Sequence, residues 1–136
     1  MAVRVAINGF GRIGRAVFRR LVEETDVQIV AINAGYPPET LAHLTQYDTV
    51  HGTFRHDVTA QGNTLCSRHQ QALIVNEREP DRLPWARLGV DIVIEATGKF
   101  RKREEAERHL MAGAKKVVIT APGKQEDLTV VMGVNH

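Results

Sequence analysis

Apolar positions along the chain fall into short unbroken runs separated by stretches with helical spacing. Residues 3–7 read Val-Arg-Val-Ala-Ile, apolar apart from Arg4, as expected of a strand buried on both faces of a parallel sheet. From Arg12 to about Glu24 the period lengthens. Ile13, Val17 and Leu21 recur at i, i+4 and i+8, with Phe18 and Val22 widening the stripe, which predicts a helix lying on the sheet. Thr25 and Asp26 interrupt it, and residues 27–32 form a second buried run. Strand, glycine turn, helix and strand within roughly thirty residues make a βαβ unit.

Tyr36-Pro37-Pro38 ends the second strand, and Pro38 suits the first turn of a helix running to about Gln46, with Leu41 and Leu44 as its buried positions. Residues 53–76 change character. Short β-prone runs are separated by Gln61-Gly62-Asn63 and Arg68-His69-Gln70, which predicts antiparallel hairpins attached to the parallel sheet as an excursion. Residues 79–88 read as a loop with a short helical turn, anchored by Trp85. The parallel pattern resumes with a strand over 90–96, a helix over 101–112 closed by Gly113, a strand over 116–120 and a last strand over 128–134. On that helix Arg101/Glu105, Arg103/Glu107 and Glu104/Arg108 are spaced for i, i+4 pairing, so its charges read as a solvated, internally paired face. The expected fold class is α/β: a Rossmann-type, doubly wound, mostly parallel sheet with an inserted antiparallel hairpin region.

The first turn carries the chemistry. Gly9-Phe10-Gly11-Arg12-Ile13-Gly14 is a G-x-G-x-x-G placed between a buried strand and an amphipathic helix. Alone such a turn is weak evidence, because glycines are common in turns; in this context it points to a dinucleotide. Gly9 permits the tight turn, Gly11 lets the backbone approach a pyrophosphate, and Gly14 lets the helix pack close to the strand. The pyrophosphate would rest on the helix N-terminus, where free N–H groups and the dipole favour an anion, and Arg12 can add charge there. Parallel sheets bind ligands beyond the carboxyl ends of their strands, which here are Asn8-Gly9, Asn33-Ala34, Thr97-Gly98 and Thr120-Ala121.

About twenty residues past the glycines, the fingerprint calls for Asp or Glu to hold the adenosine ribose 2′-hydroxyl. This chain has Ala34, between Asn33 and Gly35. A carboxylate there would repel the 2′-phosphate of NADP by roughly 4 kcal/mol per unit charge at about 4 Å and an effective dielectric of ~20. Its absence points to NADP as the preferred cofactor, with NAD as the alternative. The backbone N–H groups of Gly35 and Tyr36, the Tyr36 hydroxyl and Arg78 are candidates to meet the phosphate.

Composition narrows the remaining classes. The chain of 136 residues suits one domain with a real core, and 43% apolar with 25% charged residues is ordinary for a soluble one. No apolar run reaches eighteen residues and no leader pattern precedes the first strand, so a soluble, cytoplasmic protein without a membrane partner is expected. The single Cys66 excludes an internal disulfide framework, and no Cys/His spacing suggests zinc or another metal site. A net charge of +2 argues against nucleic acid as a partner. The basic cluster Lys99-Arg101-Lys102-Arg103 runs into Glu104-Glu105 and reads as paired helix surface.

Several segments together resemble the amino-terminal, cofactor-binding half of phosphorylating glyceraldehyde-3-phosphate dehydrogenase. They are residues 7–15 (INGFGRIGR), 41–44 (LAHL), 47–52 (YDTVHG), 83–85 (LPW), 95–100 (EATGKF), 112–117 (AGAKKV) and 131–135 (VMGVN). They span the chain in family order. Ala34-Gly35-Tyr36, in place of the family's usual Asn-Asp turn, looks like the NADP-preferring, gluconeogenic branch of bacteria. By matching position, the resemblance implies pyrophosphate contacts at Gly9, Gly11, Arg12 and Ile13. It implies that Asn8 shapes the adenosine pocket, that Arg78, Thr97 and Phe100 surround the adenine, and that Gly98 and Thr120 line the path to the nicotinamide ribose. It also implies a homotetramer for the full-length protein.

In that family the nucleophilic cysteine lies in a Ser-Asn-Ala-Ser-Cys-Thr-Thr-Asn segment beyond the equivalent of His136, and the histidine base follows later. The expectation is therefore one dinucleotide-binding domain over residues 1–136, without the catalytic domain, without catalytic residues and inactive alone. Two alternatives are the cofactor domain of erythrose-4-phosphate dehydrogenase and a non-catalytic nucleotide- or RNA-binding module. Cys66, flanked by Leu65 and Ser67 in a hairpin strand, reads as structural rather than nucleophilic. His69, near Cys66 in sequence, belongs to a turn, and His43, His51, His56 and His109 show no ligand spacing. A second domain's absence would leave apolar surface exposed and favour self-association.

Overall fold

A computed structural model describes residues 2–48, 52–97, 103–120 and 128–133. The first βαβ unit comprises β1 (Val3–Asn8), α1 (Arg12–Leu21) and β2 (Val27–Asn33), with β1 and β2 parallel. Then come α2 (Pro38–Gln46), a short antiparallel pair β3 (Tyr47–Asp48) and β4 (Gly52–Thr53), and the strands β5 (Thr59–Gln61), β6 (Thr64–Ser67) and β7 (Gln70–Val75). A 3₁₀ turn over Pro80–Arg82 leads to α3 (Trp85–Leu88), β8 (Ile92–Glu95), α4 (Arg103–Met111), β9 (Lys116–Thr120) and β10 (Leu128–Gly133).

The main sheet runs β10-β9-β8-β1-β2-β7-β6-β5. From β9 to β7 every neighbouring pair is parallel, and antiparallel strands extend both edges. The chain leaves β1 toward β2 and β7, then returns to add β8 and β9 on the other side of β1. The strand order therefore reverses between β1 and β8, the place where a doubly wound sheet opens a crevice for a ligand.

Side-chain alternation divides the core between the two faces. Ile7, Ile29 and Ile32 pack with Phe18 and Leu41 beneath α1 and α2, while Ala6, Val30, Ala31, Val93 and Val117 pack with Trp85 and Ala112 beneath α3 and α4. Val30 and Ala31 are consecutive yet share a face because β2 carries a bulge: Val5 pairs with Ile29 and Ala6 with Ala31. At the amino ends of the strands, the Arg4 N–H donates to Asp91 Oδ2 at 3.0 Å. That bond, helped by Lys115, holds the Asp91 carboxyl below its ordinary range.

Several expectations shift. β7 is antiparallel to β6, as the hairpin pattern predicts, but its other edge pairs in parallel with β2. It is thus a member of the parallel part of the sheet, which β6 and β5 extend with antiparallel pairings. β10 belongs to the sheet but runs antiparallel to β9, because residues 121–127 are too few for a parallel crossover. α1 ends at Leu21 rather than near Glu24, since Glu23 and Glu24 donate only three residues back, to Arg20 and Leu21. Leu41 is buried as expected, whereas Leu44 is half-buried and faces the cleft described below. Arg108 reaches Glu79 and Asp81 at 2.5 Å across the 3₁₀ turn, while Glu104, its expected i, i+4 partner, lies outside the residues whose side chains are described.

Candidate dinucleotide site

The site begins where β1 ends. Gly9 has φ +95°, and a Cβ there would lie 2.7 Å from Thr97 Cγ2 and 2.8 Å from the Thr97 nitrogen. The turn after β1 and the end of β8 can touch only because Gly9 lacks a side chain. Gly14, in the first turn of α1, packs onto the same turn, with the position of a Cβ only 2.2 Å from the Gly9 carbonyl oxygen. Replacing Gly14 with alanine should therefore push α1 away from β1 and lower stability by about 1–3 kcal/mol. Urea denaturation of the variant checks this, and an unchanged midpoint would mean that the approach is not required.

Gly11 is different: nothing lies within 4 Å of its missing Cβ. It caps α1 with no side-chain hydrogen bond, and the first turn contains no acidic residue. The amino end of a ten-residue helix therefore opens, uncompensated, onto free space. Such an end favours an anion through its unbonded N–H groups and its dipole.

That space is a cleft of about 850 Å³. Its walls bring together most of the residues expected from the sequence: Asn8, Gly9, Gly11, Asn33, Ala34, Gly35, Tyr36, Arg78 and Thr97. Arg12 and Ile13 stand outside its lining; Arg12 is exposed at the helix start and Ile13 leans on the core beneath α1. Thr120 also stands outside, buried with its hydroxyl donating to the Glu95 carbonyl at 2.9 Å. Gly98 and Phe100 lie outside the described residues.

Under the cleft runs a buried polar network. Asn33 Nδ2 donates to Asn8 Oδ1 at 2.6 Å, and Asn8 Nδ2 donates to Glu95 Oε1 at 2.7 Å. The other Glu95 oxygen accepts from the Thr97 N–H at 3.0 Å and from the Thr97 hydroxyl. His109 Nε2 lies 2.7 Å from Glu95 Oε1, and the Trp85 indole donates to His109 Nδ1 at 3.0 Å. An indole N–H can only donate, so Nδ1 accepts and the ring proton sits on Nε2, facing the carboxylate. On the far side Asn33 clamps the backbone of Glu77: Nδ2 donates to its carbonyl at 2.7 Å and Oδ1 accepts its N–H at 2.8 Å.

Glu95, His109 and Arg15 also belong to the site, beyond the residues expected from the sequence. The signal for Glu95 was a carboxylate inside an otherwise apolar strand, where a charge needs partners. Arg15 lines the cleft and donates to the Phe10 carbonyl at 2.9 Å, so a guanidinium stands on the cleft wall. Cys66 lies in β6, opposite Gln71, on the antiparallel edge away from the cleft. Among the described residues no group of three or more His, Cys, Asp or Glu could hold a metal, and no helix is long and apolar enough to cross a membrane.

Comparison with known families decides the lineage of this site. The family model described as glyceraldehyde 3-phosphate dehydrogenase, NAD binding domain, matches residues 3–103. The chain belongs to that family. It is 55% identical, over 100% of its length and 40% of the relative's, to glyceraldehyde-3-phosphate dehydrogenase 2 of Bacillus subtilis. It is 53% identical to glyceraldehyde-3-phosphate dehydrogenase of Geobacillus stearothermophilus, over 100% of this chain and 41% of that one. With the enzyme of Thermotoga maritima it shares 54% identity over 98% of this chain and 40% of the relative. The chain thus spans about two fifths of the length of these relatives, at their NAD-binding end. Membership in this glyceraldehyde-3-phosphate dehydrogenase family accounts for the Gly9–Gly14 turn at the β1/β8 reversal as part of a dinucleotide site.

Proposed function

We propose that residues 1–136 are the cofactor-binding domain of a glyceraldehyde-3-phosphate dehydrogenase and that the cleft prefers NADP to NAD. The observation that carries this reading is the joint geometry of the α1 amino end and Ala34. The first offers an uncapped, acid-free helix terminus to a pyrophosphate, and the second removes the carboxylate that would repel a 2′-phosphate. The open space over Gly11 lets the pyrophosphate reach backbone N–H groups. Gly9 keeps the Thr97 end of β8 close beneath it.

On the ribose side, the Ala34 N–H is already bonded to the Val75 carbonyl at 2.9 Å, which fixes the turn. Gly35 and Tyr36 are exposed on the cleft wall, and Arg78 faces the same space. Their N–H groups, phenol and guanidinium can take the 2′-phosphate. The carboxylate of Glu77, also on this wall, turns to accept the Glu79 N–H at 3.2 Å. A bound dinucleotide would supply the hydride acceptor; the residues of this chain hold and orient it. Aldehyde oxidation then depends on a cysteine and a histidine outside these residues, in a cytoplasmic homotetramer of the full-length protein.

Calorimetric titration of the chain with NADP and with NAD tests this. The expected result is saturable binding of both, with NADP tighter. A tenfold preference for NAD, about 1.4 kcal/mol, would overturn the NADP assignment, and no binding of either would overturn the site.

A further inference from the structure

We infer that Glu95 is a positioning residue for the dinucleotide cleft, its buried carboxylate setting the direction of the hydrogen-bond chain through Asn8 and Asn33 to the wall carrying Arg78. This rests on the dinucleotide reading above and assigns the second layer beneath it. Glu95 is 1% exposed in a strand whose other residues are apolar, a place where a charge is costly and an apolar side chain of similar size would be cheaper. What the carboxylate provides is acceptance on both oxygens. Four donors converge on it: the Asn8 amide, the His109 ring N–H, and the Thr97 N–H and hydroxyl.

Polarity then propagates. Because Asn8 must point Nδ2 at Glu95, it turns Oδ1 toward Asn33. Asn33 must answer with its own Nδ2, which leaves Oδ1 free to accept the Glu77 N–H. Both amide orientations follow from the acceptor at one end, and the clamp on Glu77 places the next residue, Arg78, at the cleft. The other Glu95 oxygen holds Thr97 against Gly9. One carboxylate therefore sets two walls of the cleft, some strands apart.

A neutral amide cannot do this, since its NH₂ would face a donor on either side. Glu95→Gln should weaken both NAD and NADP binding tenfold or more at a temperature where circular dichroism shows a folded chain. Glu95→Asp keeps two acceptor oxygens but is one methylene too short to meet Asn8 and Thr97 together, so it should bind both dinucleotides more tightly than Glu95→Gln and about threefold or more below the parent. Leu65→Ala, which lowers stability from β6 without touching the cleft, should leave both affinities unchanged.

Parent binding with an unchanged affinity in Glu95→Gln overturns the inference and leaves the cofactor site standing; a parent that binds neither dinucleotide overturns the cofactor reading itself. A Glu95→Asp variant no tighter than Glu95→Gln, or affinity losses that follow stability in Leu65→Ala as well, reduce Glu95 to a structural residue. Should Glu95→Gln fail to fold, Glu95→Asp decides: a folded variant that binds about threefold or more below the parent sustains the inference, and parent affinity or an unfolded variant overturns it.

Discussion

Truncating Trp85 to alanine is expected to cost the chain at least about 4 kcal/mol of stability. Two effects add. The indole is fully buried between the sheet and α4, among Leu83, Val90, Val93 and Ala112, so its removal leaves a cavity worth about 3–5 kcal/mol. It also removes the buried hydrogen bond from the indole to His109 Nδ1, worth about 0.5–1.5 kcal/mol. A typical domain has only about 5–15 kcal/mol in hand, so the variant should be marginal, with a melting temperature lower by roughly 15 °C. Trp85 is the single tryptophan, so far-UV circular dichroism rather than fluorescence must follow the melt. Trp85→Phe, which keeps most of the apolar volume, should lose less. A loss below about 1 kcal/mol in the alanine variant would show that α3 and α4 are held by other contacts.

That sensitivity follows from how Trp85 is used, and only half of its use was legible in the sequence. A lone tryptophan after Leu83-Pro84 announces an anchor, because a large apolar side chain in a loop must be buried somewhere. Its polar role was not legible. Trp85 and His109 are 24 positions apart, and they meet only because α4 folds back over the 3₁₀ turn ahead of α3. Glu95 and Asn8 are 87 apart and meet because β8 inserts beside β1, a topological fact with no local signature.

Local patterns fared better where a single element decides the outcome. The β1–α1–β2 unit was readable from period and glycine spacing, since burial on both faces and a one-sided helix leave different patterns. Strand direction was less so. β7 reads as a hairpin arm from its turn residues, yet its second edge is claimed by β2, and pairing partners are set by the whole sheet. The site divides the same way. Asn8, Gly9, Asn33, Ala34 and Thr97, all at strand ends, line one cleft, whereas Thr120 turns inward to the Glu95 carbonyl because its hydroxyl, buried in the sheet, needs an acceptor.

On the proposed NADP preference, Ala34→Asp should shift selectivity toward NAD by about 100-fold. Ala34 is half-buried and its backbone is pinned to Val75, so the substitution changes charge on the cleft wall with little displacement of the turn. An aspartate there can accept from a ribose 2′-hydroxyl and repels a 2′-phosphate. At about 4 Å the repulsion is roughly 4 kcal/mol for each unit charge at a dielectric of ~20, and the solvent around Gly35 and Tyr36 reduces it to roughly 2–3 kcal/mol. That converts to about two orders of magnitude in relative affinity. The effect should fall on both arms: NADP binding weakens and NAD binding tightens. Only the NADP arm should soften as salt rises, because added ions screen the charge repulsion far more than a short hydrogen bond at the same carboxylate. Parallel titrations at low and high ionic strength separate the two. An unchanged preference in Ala34→Asp would move the selection of the 2′ substituent away from position 34 and onto Arg78 and Tyr36, where Arg78→Ala would then have to account for it.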